Sequence, residues 1–198
     1  VIGTVTTVAE ALAWQAIGAD AVVASGVEAG GHRGTFIGRQ EDATLSSRAL
    51  WPAVVAAVDI PVIAAGGIMT GADIKQALQL GARAVQMGTA FLVTDEAATH
   101  PAHKARILSG EGRTRLTRSF SGRYARGIEN DFMRQMEAVE AQVPPYPVQN
   151  ALTGPIRAAA AKSGDTDLMS MWAGTEFARA RAMPAGQLVQ LLASEMQT

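Results

Sequence analysis

The chain has no cysteine in 198 residues. That excludes disulfides, thiolate nucleophiles and cysteine-based metal or iron–sulfur centres. Histidine is also scarce, with three in all, and no His/Asp/Glu pair sits at ligand spacing, so no metal site is expected. Net charge is close to nil, at −1, which argues against a bulk electrostatic role on nucleic acid or an anionic membrane. No apolar run reaches the roughly 18 residues that cross a bilayer, and no signal-peptide start is visible. The cytoplasm is the default location. An initiator Met is missing too: Val1 leads straight into an apolar strand, as expected of a piece of a longer protein.

What remains is an apolar chain, 48% hydrophobic and 18% charged, the composition of a buried α/β protein. Ile2 to Val5 reads as a strand, Thr7 as the N-cap of a helix over Val8 to Ile17, and Ala21 to Ala24 as the next strand. Pro52 to Val58 is a helix with proline in its first turn. Val62 to Ala65 is a third strand, Gly71 to Leu80 a helix, and Ala84 to Met87 a fourth strand. Gly18-Ala19-Asp20-Ala21-Val22 and Gly81-Ala82-Arg83-Ala84-Val85 repeat one device, a helix stop running into a buried strand. Apolar strands alternating with helices imply a parallel sheet covered by helices. After Phe91 the pattern turns helical: Pro101 to Leu108, Ile128 to Val143, a rigid break at Pro144 to Pro147, then three more helical pieces ending in Ala185 to Met196. The expected division is a barrel half over 1–92, a helical and irregular insert over 93–150 and C-terminal helices over 151–198.

Three glycine-rich sites fall at strand ends: Gly30-Gly31-His32-Arg33-Gly34, Ala65-Gly66-Gly67-Ile68 and Gly88-Thr89. Strand ends without side chains let backbone N–H groups approach a ligand, and such groups favour phosphate. Ligands on parallel sheets bind beyond the strand C-termini. The pair Gly66-Gly67 and Gly88-Thr89 therefore reads as a phosphate cradle on adjacent strands, in the place taken by the last two strands of an eight-stranded α/β barrel. His32, on the same rim, reads as a base for an acidic carbon. Glu28 either orients His32 or bonds its own loop backbone. His100 and His103 read as solvated. The arginines from Arg113 to Arg126 read as ion pairs and loop docking rather than nucleic-acid contacts. Trp14, Trp51 and Trp172 read as core or interface packing.

Glu28 to Gly34, Pro61 to Gly71 and Gly81 to Phe91 together resemble the nitronate monooxygenase family, formerly 2-nitropropane dioxygenases. Arg118-Ser119-Phe120-Ser121-Gly122-Arg123-Tyr124-Ala125-Arg126-Gly127 and Met171-Trp172-Ala173-Gly174 are similar to its later segments. The resemblance implies a (β/α)8 TIM barrel carrying FMN, with an inserted or appended helical domain. Here about four parallel strands would form the second half of that barrel, in the C-terminal portion of the protein. It also implies oxidation of alkyl nitronates by O2 to a carbonyl compound and nitrite. Carried over, Ala29, Gly30, Gly31, Gly66, Gly67, Gln86, Met87, Gly88 and Thr89 would hold FMN. Ser25 would lie beside the flavin, where many members have Gln or Asp. His32 would be the catalytic base for neutral nitroalkanes. The expected partners are a nitronate or nitroalkane and O2, together with a second copy or the remaining barrel half. The alternatives are a flavin-dependent enoyl-acyl-carrier-protein reductase, a non-redox phosphate-binding isomerase or lyase barrel, and an inactive fragment.

Overall fold

The computed structural model of the chain describes residues 1–197. Its first half alternates strands and helices: β1 (Ile2–Val5), α1 (Val8–Ala16), β2 (Ala21–Ser25), β3 (Gly31–His32), α2 (Ser47–Ala57), β4 (Val62–Ala65), α3 (Gly71–Gln79) and β5 (Ala84–Gln86). Four of these strands form a parallel sheet in the order β1-β2-β4-β5, with Val22 beside Val62 and Ala65 beside Gln86. The sheet does not close on itself, and its two edges are β1 and β5. This is the partial (β/α) barrel that the strand–helix alternation implies.

Local chemistry sets the helix starts. Thr7 caps α1 and Glu10 answers it; Thr70 caps α3 and Asp73 answers it, so both are complete capping boxes. Helix α2 begins at Ser47, not at Pro52 as the sequence suggests, and proline sits inside it. The lost backbone bond is outweighed by burial of Leu50, Trp51 and Val54 against the sheet. Trp51 also donates Nε1–H to the carbonyls of Ala24 (3.1 Å) and Ala65 (3.3 Å).

The second half holds α4 (Pro101–Leu108), β6 (Thr114–Thr117), β7 (Ala125–Ile128), α5 (Asp131–Met136), α6 (Val148–Ser163) and α7 (Ala185–Glu195). The arginine-rich stretch is not irregular: β6 and β7 pair antiparallel, and β7 also pairs with β3, giving a small sheet in the order β3-β7-β6. Ile128 therefore ends a strand instead of starting a helix. The expected helix over Ile128 to Val143 is α5 followed by a short tight helix over Glu137–Gln142.

Three apolar clusters hold these pieces. The largest joins Val5, Val22, Ala24, Leu50 and Ala64 to Leu188 and Leu192 of α7. The last helix thus seals the parallel sheet's own core, packing on α3. A second cluster gathers Val93, Ile107, Ile128 and Met171, and a third stacks Phe120 on Phe132 at 4.5 Å between ring centroids.

Candidate active site

The rim above the C-terminal ends of β2, β4 and β5 carries the glycine turns, and each turn is shaped by what lies behind it. Gly66 and Gly67 both adopt left-handed backbone angles (φ 102° and 74°), which side-chain-bearing residues disfavour. At Gly30 the reason is proximity: an added Cβ would lie 2.6 Å from the backbone carbon of Ala173. The loop between β2 and β3 is braced by two guanidinium groups. Arg33 is buried and donates to the carbonyls of Ser25 (3.1 Å), Gly26 (2.6 Å) and Ala43 (3.2 Å). Arg126 donates Nε–H to the Val27 carbonyl at 2.7 Å. Arg33 thus points back into the scaffold, away from the rim.

Glu28 serves neither role foreseen for it. Its Oε2 accepts from the Ser47 N–H and hydroxyl, both at 2.7 Å, and so anchors the loop to the start of α2.

His32 belongs to the small antiparallel sheet, paired with Ala125 of β7. Its Nε2 lies 2.8 Å from Ser121 Oγ. Trp172 and Tyr146 stand beside the ring, at 5.5 Å and 6.4 Å between centroids. Partial burial by these neighbours, with the Arg123 and Arg157 cations nearby, pushes the imidazole below its usual range. A neutral imidazole at neutral pH is the form that can take a proton.

Ser25, Ala29, Gly30, Gly31, His32, Gly66, Gly67, Gln86, Met87, Gly88 and Thr89 all line one cleft of about 560 Å³. Sequence reasoning had gathered these from three separate segments; the parallel register brings them to one rim. It missed four further lining residues, His100, His103, Ser170 and Trp172. His103 is not solvated. It bonds the backbone of Trp172, and burial, the largest influence, lowers its pKa. His100 accepts from the Ala102 N–H at 3.2 Å, capping α4. Trp172 packs on Phe120 (5.6 Å), as expected of a core residue, but it also walls the cleft. The available signal was the Met171-Trp172-Ala173-Gly174 segment; its neighbour Gly174 is held by a 3.0 Å bond to Thr89 Oγ1.

The cleft suits a large polar ligand. Glycines on two adjacent strand ends leave the backbone exposed at the rim, as an anionic phosphate requires. Two buried polar atoms in residues lining the cleft, His103 Nε2 and Ser170 Oγ, have no partner among the described residues, and buried polar groups call for one. Among the described residues no three His, Asp or Glu side chains are grouped as a metal site would need, and no helix is long and apolar enough to cross a membrane.

Comparison with known proteins agrees with this geometry. A relative from Staphylococcus haemolyticus, named "Probable nitronate monooxygenase", is 45% identical over 200 residues, covering 100% of this chain and 56% of its own length. Nitroalkane oxidase from Streptomyces ansochromogenes superposes with a TM-score of 0.93 at 48% identity, over 99% of this chain and 57% of that one. FabK from Thermotoga maritima follows with a TM-score of 0.82 at 32% identity, over 99% and 60%. The chain thus spans little more than half the length of the relatives it matches. The family model for nitronate monooxygenase matches residues 1–195, and the chain belongs to the nitronate monooxygenase family.

Proposed function

We propose that this chain carries the cofactor cradle and the base of a cytoplasmic, FMN-dependent enzyme that oxidises alkyl nitronates and nitroalkanes with O2, yielding a carbonyl compound and nitrite. The observation that carries the reading is the convergence of His32 and the glycine turns of β4 and β5 on one cleft. FMN, when bound, supplies the path for electrons from substrate to O2. Gly66, Gly67, Gly88 and Thr89 hold its phosphate. Ala29, Gly30, Gly31, Gln86 and Met87 line its length, and Ser25 lies at the flavin side. His32 removes the proton on the carbon next to the nitro group of a neutral nitroalkane. A preformed nitronate has already lost that proton and needs no base. The edges β1 and β5 are left for further barrel strands or a second copy of the chain.

Incubation with FMN followed by desalting tests the cradle: a retained absorption band near about 450 nm is expected. In the flavin-loaded protein, nitrite release from a nitroalkane should fall by a factor on the order of 10² or more in His32→Ala, with nitronate turnover hurt far less. A protein that stays colourless even when the remaining barrel half is supplied would overturn the cofactor reading. NAD(P)H consumption in place of nitrite release would favour the reductase alternative.

A further inference from the structure

Ser121 lies 89 residues from His32 in sequence, yet its Oγ is 2.8 Å from the imidazole Nε2. The same oxygen lies 3.0 Å from the Arg123 carbonyl and 3.3 Å from the Arg123 backbone N–H. A serine hydroxyl has one hydrogen to donate and two lone pairs to accept with. The carbonyl can only accept, so it takes the hydroxyl hydrogen. The backbone N–H can only donate, so it occupies one lone pair. The remaining lone pair faces Nε2, which must therefore bring a hydrogen of its own.

We propose that Ser121 is a positioning residue that holds His32 as the Nε2–H tautomer, leaving Nδ1 as the atom that takes the substrate proton. The inference deepens the reading of His32 as a base and rests on it. A hydrogen bond at one ring nitrogen decides which nitrogen is free. Glu28 is committed to Ser47, and among the described residues no carboxylate forms an ion pair with His32. The serine hydroxyl takes the orienting place that a carboxylate fills in other histidine bases. The arrangement also rules out a nucleophilic serine, since the hydroxyl hydrogen points at a carbonyl rather than at the imidazole.

In the step itself the α C–H bond of the nitroalkane breaks and the proton bonds to Nδ1. The electron pair left behind forms the carbon–nitrogen double bond of the nitronate. The imidazolium so formed keeps its Nε2–H on Ser121, so the anchor is intact before and after transfer.

The test is a ¹⁵N NMR spectrum of histidine-labelled, FMN-loaded protein at a pH where His32 is neutral. The wild type should show the hydrogen on Nε2 and a bare Nδ1. Ser121→Ala should mix the two tautomers and lower the nitroalkane-to-nitronate ratio of kcat/KM about tenfold or more, because a base presented in the wrong tautomer fails. Ser121→Thr, which keeps the hydroxyl, should restore both. A hydrogen on Nδ1 in the wild type would overturn the proposal, and that spectrum decides even if Ser121→Ala folds poorly. An unchanged tautomer and ratio in a folded Ser121→Ala would also overturn it. Failure of the base reading is seen separately, as intact nitroalkane turnover in His32→Ala.

Discussion

Glu10 offers a sharp test of how the His32 segment is held. It is fully buried, with 0% of its surface exposed, and among the described residues it forms no salt bridge. Its carboxylate is satisfied instead by five donors. Oε2 accepts from the Thr6 N–H (2.6 Å), the Thr6 hydroxyl (2.9 Å) and the Thr7 N–H (3.1 Å). Oε1 accepts from the Phe36 N–H (2.5 Å) and the Ile37 N–H (3.1 Å), which lie just past the histidine loop. Glu10→Gln keeps the shape but turns one oxygen into an amide that can only donate. Whichever way it points, at least two buried or part-buried donors lose their acceptor. At about 1–3 kcal/mol per orphaned donor, the loss is about 2–6 kcal/mol. For a chain of this size each kcal/mol moves Tm by about 2–4 °C, so a drop on the order of 10 °C is expected in a thermal melt. The pH dependence has a fixed sign. Burial by itself would raise the Glu10 pKa, but bonds from Thr6, Phe36 and Ile37 bring it below the ordinary 4.5. Its stabilisation is therefore complete above 4.5 and is lost as pH falls through the depressed folded value. The gap between wild type and Glu10→Gln should narrow in acid. A variant within about 1 kcal/mol of wild type at pH 7, against the orphaned-donor cost, would refute the argument, as would a gap that does not shrink.

Gly88→Ala separates cradle from scaffold, because Gly88 has an ordinary backbone φ of −106° and an added Cβ would meet nothing within 4 Å. The melt should be unchanged while FMN retention after desalting falls; full flavin occupancy would place the phosphate elsewhere. In the loaded enzyme, kcat/KM for a neutral nitroalkane should rise with pH through a value below the ordinary 6.5 of histidine, since burial and then Arg123 and Arg157 disfavour the imidazolium. An acid limb at or above 6.5 would show that His32 is not so perturbed, and a matching limb with nitronate would remove it as the proton acceptor.

The parallel half was legible because its signals are local. Thr7 and Thr70 cap helices, Gly18 and Gly81 stop them, and short apolar runs fill the strands between. The rim followed from one topological rule, that parallel strands end on the same side. The small sheet was not legible in this way. Strand β3 is only two residues long and finds its partner at Ala125, so no periodicity within either segment announces the pairing. The ion pairs and loop docking expected of the arginines in that stretch are present: Arg113 pairs with Glu129, Arg123 donates to the carbonyls of Arg33 and Thr35, and Arg126 to Val27. The start of α2 was misplaced because proline was taken as a first-turn residue, while the apolar face of Leu50, Trp51 and Val54 overrides that preference. His103 looked solvated in a polar stretch; only its bond to the distant Trp172 backbone turns it inward.

The proposed base and the proposed cradle grow from different sheets. Gly66 to Thr89 ride on the parallel sheet, whereas His32 is paired into the antiparallel one, joined to β2 through loop 26–30. The distance from proton acceptor to phosphate is therefore a property of a seam, stitched by Arg33, Arg126 and the Gly30–Ala173 approach. Substitutions of Arg33 or Arg126 along that seam should re-aim the imidazole for a bulkier or smaller carbon acid while the phosphate turns on β4 and β5 stay as they are. In such a layout the reach of the base and the grip on the phosphate can be altered one at a time.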